Sequence, residues 1–164
     1  MTDFNIPILL LTYNRPELLE RVFEQVAKIR PEKIYVVSDG PKNDEDALKI
    51  ERSREFLSLK SREFTIIQLN RNENLGCRES VSSGISWFFD QEEMGIILED
   101  DCLPSESFFN YFGTIGGVVL FLKAHRLSSH FLGARVCRHN QHTVSETCLS
   151  TIVVSQGSMI HHLQ

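Results

Sequence analysis

Short apolar runs and helically spaced apolar positions alternate along the first 112 residues of the chain. Short, mostly apolar runs are typical of strands buried in a sheet, whereas apolar residues three and four apart are typical of helices. The runs predict four strands, at Ile6–Leu11, Ile34–Val37, Phe64–Leu69 and Gly95–Leu98. The segments between and after them predict four helices, at Leu18–Ile29, at Asn43–Lys60 on the surface, from Leu75-Gly76 onward and from Ser105 to Phe112. The predicted inner face of the third helix consists of Cys77, Val81, Ile85 and Phe88. This alternation predicts an α/β fold, with a mostly parallel sheet and helices on both faces.

The composition of the chain changes after Phe112. Residues 1–112 contain 21 acidic and 13 basic residues and all five prolines, a net charge of -8. Residues 113–164 contain one acidic residue, four basic residues and all six histidines, a net charge of +3. Two such compositions rarely belong to one compact domain. We therefore expect a domain at 1–112 and a divergent tail at 113–164, which is either a separate module or a non-native continuation.

The sequence of the tail, residues 113–164, allows three interpretations. Its cysteines and histidines could hold zinc, although their spacing fits no standard zinc-binding pattern. Its apolar run at Gly113–Leu122 could form a strand or helix of an interaction module. The compositional break favours a replaced C-terminus that adds little to function. The candidate zinc ligands are Cys137, His139, His142 and Cys148.

Charge and cysteine content narrow the class of protein. The net charge of -5 argues against a nucleic-acid binder that relies on a basic surface. Four cysteines without a CxxC pair indicate a reducing compartment, so a cytoplasmic location is expected. The first residues show no signal pattern, and the longest apolar run is too short for a transmembrane segment.

Three carboxylates follow the fourth predicted strand directly, at Glu99, Asp100 and Asp101. Adjacent carboxylates resist joint ionisation, so a cation among them would relieve the repulsion. Parallel sheets bind ligands outside the carboxyl ends of their strands, where this cluster lies. Hard oxygen ligands of this kind suit Mg2+ or Mn2+ bridged to the phosphates of a nucleotide. The same residues also fit an acidic turn at a polar strand exit.

The other three strand exits carry polar groups as well. Thr12-Tyr13-Asn14-Arg15 follows the first strand, and Asp39 follows the second. Asn74-Leu75-Gly76 follows the third and opens a helix, whose free N–H groups favour an anion, with Arg78 in its first turn. Taken singly, Asn14, Asp39 and Gly76 fit ordinary turns, and Arg78 fits a solvated surface arginine. Taken together, the four exits predict a nucleotide with a diphosphate and a divalent cation.

These motifs, in this order, resemble the nucleotide-sugar-binding half of GT-A fold glycosyltransferases, close to family 2. The residues that carry the resemblance are Thr12-Tyr13-Asn14-Arg15-Pro16, Ser38-Asp39-Gly40, Asn74-Leu75-Gly76 and Leu98-Glu99-Asp100-Asp101. The Glu-Asp-Asp form also resembles N-acetylglucosaminyltransferase I and its relatives. The resemblance covers about the first 112 residues. It implies a Rossmann-like fold and a metal-assisted transfer of a sugar from a nucleotide-diphosphate sugar to an acceptor hydroxyl.

The resemblance also implies roles for individual residues. Asp39 would hold the nucleobase, Asp100 would face the ribose or sugar, and Asp101 would be the ligand of Mn2+ or Mg2+. Thr12 and Asn14 would line the nucleotide pocket, with Arg15 near it. The donor would be a UDP- or GDP-sugar, and the acceptor is left open. The implied nucleotide-sugar-binding residues are Thr12, Asn14, Arg15, Asp39, Asn74, Gly76, Arg78, Glu99 and Asp100.

The resemblance does not reach the part of the family that binds the acceptor and carries the catalytic base. After Asp101 the chain contains only two further carboxylates, Glu106 and Glu146, so the base is not identified. We therefore expect a donor half that is truncated before its acceptor half, with turnover in doubt. A catalytically silent nucleotide-binding or interaction module is the alternative. A phospho-acceptor receiver domain is disfavoured, because its acidic cluster would lie near the first strand.

Overall fold

The centre of the fold is a five-stranded sheet with strand order β3-β2-β1-β4-β5. The computed structural model describes residues 5–109 and 152–155. Strands β1 to β4 are parallel, and β5 pairs with β4 in the antiparallel direction. The elements are β1 (Ile8–Thr12), α1 (Pro16–Lys28), β2 (Ile34–Ser38), α2 (Asp44–Lys60), β3 (Ile66–Asn70), α3 (Cys77–Phe89), β4 (Met94–Glu99) and β5 (Ile152–Ser155). The predicted α/β fold with a mostly parallel, Rossmann-like sheet is confirmed.

Strand β1 is the middle of the sheet, and all five of its residues are buried. Its alternate side chains enter two separate cores. Ile8 and Leu10 pack with Leu19 and Phe23 of α1, and Leu57 of α2 joins the same core. On the opposite face the odd-numbered β1 residues, Leu9 and Leu11, pack with residues of α3 that include Phe88. Helices therefore cover both faces of the sheet, as the sequence predicts.

Helices α2 and α3 differ in how well the sequence predicts which of their residues are exposed. Helix α2 is a surface helix as predicted, with Leu48 75% exposed and Asn43 as its N-cap. Helix α3 corrects one expectation, because Cys77 is exposed and not on the inner face. The buried positions of α3 begin only at Ser80, so the first turn extends past the part of the helix that packs on the sheet. Residues 106–109 are helical, as expected for the start of a further helix.

Strand β5 comes from the segment after residue 112 and was not predicted. Its four residues pair with Met94–Ile97 and cover the edge of β4. The candidate zinc ligands and the run Gly113–Leu122 lie outside the described residues. The division of the chain at residue 112 remains a prediction. Among the described residues, no helix has both the length and the apolar content that crossing a membrane requires.

Gly95 provides a test of the packing between β4 and α3. A Cβ atom at this position would contact the ring of Phe88 and lie 2.9 Å from the carbonyl oxygen of Pro7. Phe88 is fully buried, so its ring has little room to move away. We expect Gly95→Ala to lower the free energy of unfolding by about 1–3 kcal/mol in urea denaturation. Met94→Ala, at the exposed neighbouring position, is the control, and an unchanged or raised stability of Gly95→Ala would contradict this packing.

Candidate functional site

The carboxyl ends of β1, β2, β3 and β4 lie along one edge of the sheet. The chain proceeds from β1 outward to β3 and then returns to place β4 on the other side of β1. The topological switch point therefore lies between β1 and β4, and open α/β sheets bind ligands in the crevice at such a point. Thr12 ends β1 and Glu99 ends β4, so the β1 exit and the three carboxylates flank this candidate crevice.

Asp100 joins the exits of β1 and β4. Its side-chain oxygen Oδ2 accepts hydrogen bonds from the backbone N–H of Tyr13 at 3.2 Å and from Oγ1 of Thr12 at 3.5 Å. Its own backbone N–H donates to the carbonyl of Leu11 at 3.0 Å. Burial is the main reason that the pKa of the Asp100 carboxyl is raised, and the bond from Tyr13 opposes it. Thr12 thus contacts Asp100 directly, and the two predicted site residues hold the two exits together.

The guanidinium of Arg15 is the positive charge that pairs with the carboxylate cluster. Its Nη1 atom is 2.8 Å from Oδ2 of Asp101 and 3.7 Å from Oδ1 of Asp100. The Asp101 side chain is 45% exposed, so it is accessible to a second cation from solvent. Three sequence-predicted residues, Arg15, Asp100 and Asp101, are therefore brought together.

Glu99 completes the cluster from the last position of β4. Burial raises the pKa of its carboxyl, and the charges of Asp101 and Asp100 raise it further. Within residues 5–109 and 152–155, no three acidic, histidine or cysteine side chains converge as a ready-made metal cage. Magnesium sites commonly use one or two carboxylates and complete the shell with water and substrate phosphates. An exposed single carboxylate, Asp101, fits that mode of binding.

Asp39 is buried in the turn after β2 and clamps the loop that precedes α3. Oδ1 accepts from the N–H groups of Gly40 and Leu75, both at 3.0 Å, and Oδ2 accepts from Nδ2 of Asn74 at 3.1 Å. Asn74 also donates to the carbonyl of Gly40 at 2.8 Å. A Cβ at Gly40 would lie 2.5 Å from the carbonyl oxygen of Glu73, so the two loops approach too closely for a side chain there. Asp39 therefore has the turn role that the sequence left open, and Asn74 is one of its partners there. The roles of both residues toward a nucleotide remain predictions.

Gly76 and Arg78 lie at the start of α3. Gly76 is the N-cap with a φ of 78°, a left-handed conformation that favours glycine. No side chain caps this helix end, so its N–H groups remain directed outward. Arg78 is exposed, and in the described part of the chain the cation paired with the carboxylate cluster is Arg15 and not Arg78.

Asp46, near the start of α2, is the residue that the sequence analysis missed. Its carboxylate accepts from the hydroxyl of Tyr13 at 2.6 Å and from Nδ2 of Asn14 at 2.6 Å. It also accepts from the N–H of Lys42 at 3.4 Å. The sequence contained one signal, the Asn43-x-x-Asp46 spacing of a capped helix start, but this spacing gives no indication of a contact with the β1 exit. Asn14 therefore contacts α2 and not the carboxylate cluster.

The ionisation of this group follows from its contacts. The hydrogen bond from Tyr13 lowers the pKa of Asp46, and the bond from Asn14 lowers it further. Burial raises the pKa of Tyr13 to about 12, and the bond to Asp46 contributes to the increase. At neutral pH, Asp46 is therefore an ionised acceptor and Tyr13 a protonated donor.

No protein-family model matches the chain, and no curated protein matches it. Among solved structures, the chain is similar to the mannosyltransferase PcManGT from Pyrobaculum calidifontis in complex with GDP-Man and Mn2+. The TM-score is 0.49 and the identity 16%, over 70% of this chain and 33% of that protein, so the chain spans about a third of its length. The strand order and pairing of this chain show its α/β fold class.

The clamp formed by Asp39 has a measurable consequence. Asp39→Ala leaves the N–H groups of Gly40 and Leu75 without their acceptor, and the N–H of Gly40 is buried, where a donor without a partner is costly. We expect the free energy of unfolding to fall by about 1–3 kcal/mol and amide exchange at Leu75 to accelerate. Asp44→Ala, at an exposed carboxylate, is the control. Equal stability and unchanged exchange in Asp39→Ala would contradict the clamp.

The raised pKa of Glu99 predicts a pH dependence of stability. Between the ordinary pKa of 4.5 and the raised value, the folded protein binds more protons than the unfolded chain. The wild-type protein should therefore gain stability relative to Glu99→Gln as the pH falls through this window. Urea unfolding of both proteins between about pH 8 and 4 measures this difference. Parallel stability curves for the two proteins would show that Glu99 is not perturbed.

Proposed function

We propose that this chain binds a nucleotide-diphosphate sugar in the crevice between the β1 and β4 exits and transfers the sugar to an acceptor hydroxyl. The observation that carries the proposal is the meeting of Arg15, Asp100 and Asp101 at the switch point of the sheet. A basic side chain, a buried carboxylate and an exposed carboxylate at this place suit a ribose, a diphosphate and a divalent cation. The resemblance to GT-A glycosyltransferases points to the same ligands.

In this proposal Asp101 holds Mn2+ or Mg2+, which would stabilise the charge that develops on the departing diphosphate. Asp100, fixed by Tyr13, presents its remaining lone pairs to the ribose or sugar. Arg15, which is paired with Asp101 in the structure, would reorient toward the diphosphate if a cation took its place at Asp101. Its side chain is 53% exposed, so this movement does not disturb the core.

The residues beside this centre complete the donor site in the proposal. Oδ2 of Asp39 accepts one hydrogen bond, from Asn74, and can accept a second hydrogen bond from a nucleobase. The outward N–H groups at the start of α3, beside Gly76, suit a phosphate. The UDP- or GDP-sugar donor, the family 2 assignment and the cytoplasmic location are parts of this proposal.

A catalytically silent nucleotide-binding module is the second candidate. It is favoured by one observation: after Asp101, the described residues contain a single acidic side chain, the exposed Glu106. A transferase needs a base near the acceptor hydroxyl. Transfer of sugar to any acceptor separates the two candidates, because a silent module binds the donor and gives no product.

Thermal melting with UDP, GDP and their sugars tests the donor site directly. We expect one nucleotide to raise Tm by about 5–10 °C at about 100-fold its Kd, only when Mn2+ is present. The increase should disappear with a chelator and in Asp101→Asn. Asp90→Asn, which removes an exposed charge at the end of α3, is the matched control and should keep the increase. A cooperative transition that responds to none of these nucleotides would refute the proposal.

A further inference from the structure

We propose that Asp46 is a positioning residue of the nucleotide site, which fixes Tyr13 and Asn14 so that Asn14 presents its carbonyl oxygen to the ligand. This inference rests on the proposed function, because it assumes that a nucleotide occupies the crevice beside the β1 exit. It assigns a role to a residue of α2, an element that the resemblance and the carboxylate cluster leave without one.

Asp46 is suited to this role because its own position is fixed. Its backbone N–H donates to the side-chain oxygen of the N-cap Asn43 at 2.9 Å, and the residue is 7% exposed. Its two oxygens are used separately, Oδ2 by Tyr13 and Oδ1 by Asn14. The partners are 33 and 32 residues away in the sequence, so the contact joins the β1 exit to the capped start of α2.

The chemistry of the contact sets the orientation of the Asn14 carboxamide. An ionised carboxylate only accepts hydrogen bonds, so Asn14 must direct its NH2 group at Asp46. The carbonyl oxygen of Asn14 is then left for another partner, and that partner must be a donor. The ligand group that meets Asn14 is therefore an N–H of the nucleobase or a ribose hydroxyl.

The ring of Tyr13 is held from a second direction. The ammonium of Lys42 lies 5.6 Å from the centroid of the ring, and the N–H of Lys42 donates to Asp46. The β2–α2 loop therefore packs on Tyr13 while Asp46 holds its hydroxyl. These contacts constrain the β1 exit, and a preorganised loop loses less entropy when a ligand binds.

Asp46→Asn tests the role, with Asp44→Asn as a matched control in the same first turn of α2. An asparagine has one acceptor oxygen, so its NH2 group must face either the NH2 group of Asn14 or the backbone N–H of Lys42, and at least one of these contacts is lost together with the charge. We expect the Kd of the nucleotide, measured by calorimetry with Mn2+, to rise about fivefold to tenfold in Asp46→Asn and to stay unchanged in Asp44→Asn. Tyr13→Phe removes one of the contacts without a change of charge and should weaken binding to a lesser extent.

A double-mutant cycle separates positioning from a general loss of stability. If Asp46 acts through Asn14, the substitution Asp46→Asn should have little further effect on Kd in an Asn14→Ala background. The positioning role would be overturned if Asp46→Asn weakened binding equally in the wild-type and Asn14→Ala backgrounds, or if Asp46→Asn and Tyr13→Phe both kept the wild-type Kd. Either result would leave the proposed function intact. A wild-type protein that binds no nucleotide would overturn the proposed function and this inference together.

Discussion

The carboxylate of Asp100 is buried where β1 and β4 end, and a buried charge is tolerated only where hydrogen-bond donors surround it. The β1 exit supplies those donors, with the N–H of Tyr13, the hydroxyl of Thr12 and, at a longer distance, the guanidinium of Arg15. The conformation of the β1 exit is thus coupled to the carboxylate that follows β4. The candidate site depends on this coupling, because it brings Arg15 over Asp101.

The same principle operates at the other strand exits. Asp39 and Asp46 are also buried carboxylates surrounded by donors, and each connects a loop to an element distant in sequence. Three carboxylates therefore organise the loops along one edge of the sheet, whereas apolar packing organises the strands beneath. Hydrogen-bond networks fix the positions of their side chains when every donor and acceptor has a partner, and a binding site requires fixed side-chain positions.

Most of the fold could be predicted from the sequence, because continuous apolar runs such as Ile34–Val37 mark buried parallel strands by local composition alone. Strand β5 could not, since four residues acquire strand structure only through the edge of β4. The exposure of Cys77 was missed because helical spacing does not reveal where the supporting sheet ends. The cluster at Glu99–Asp101 was visible as a local motif. The contacts of Asp46 could not be predicted, because its partners precede it by more than thirty residues.

The arrangement of β1 beside β4 has a consequence for folding kinetics. The pairing of β1 with β2 closes a short segment around α1, whereas Thr12 and Asp100 are 88 residues apart. Loop closure becomes more costly in entropy as the loop lengthens, and non-local pairings slow folding. We therefore expect the crevice to form late in folding. A chain that has folded only its first β-α-β unit contains the residues of the β1 exit but not the binding geometry.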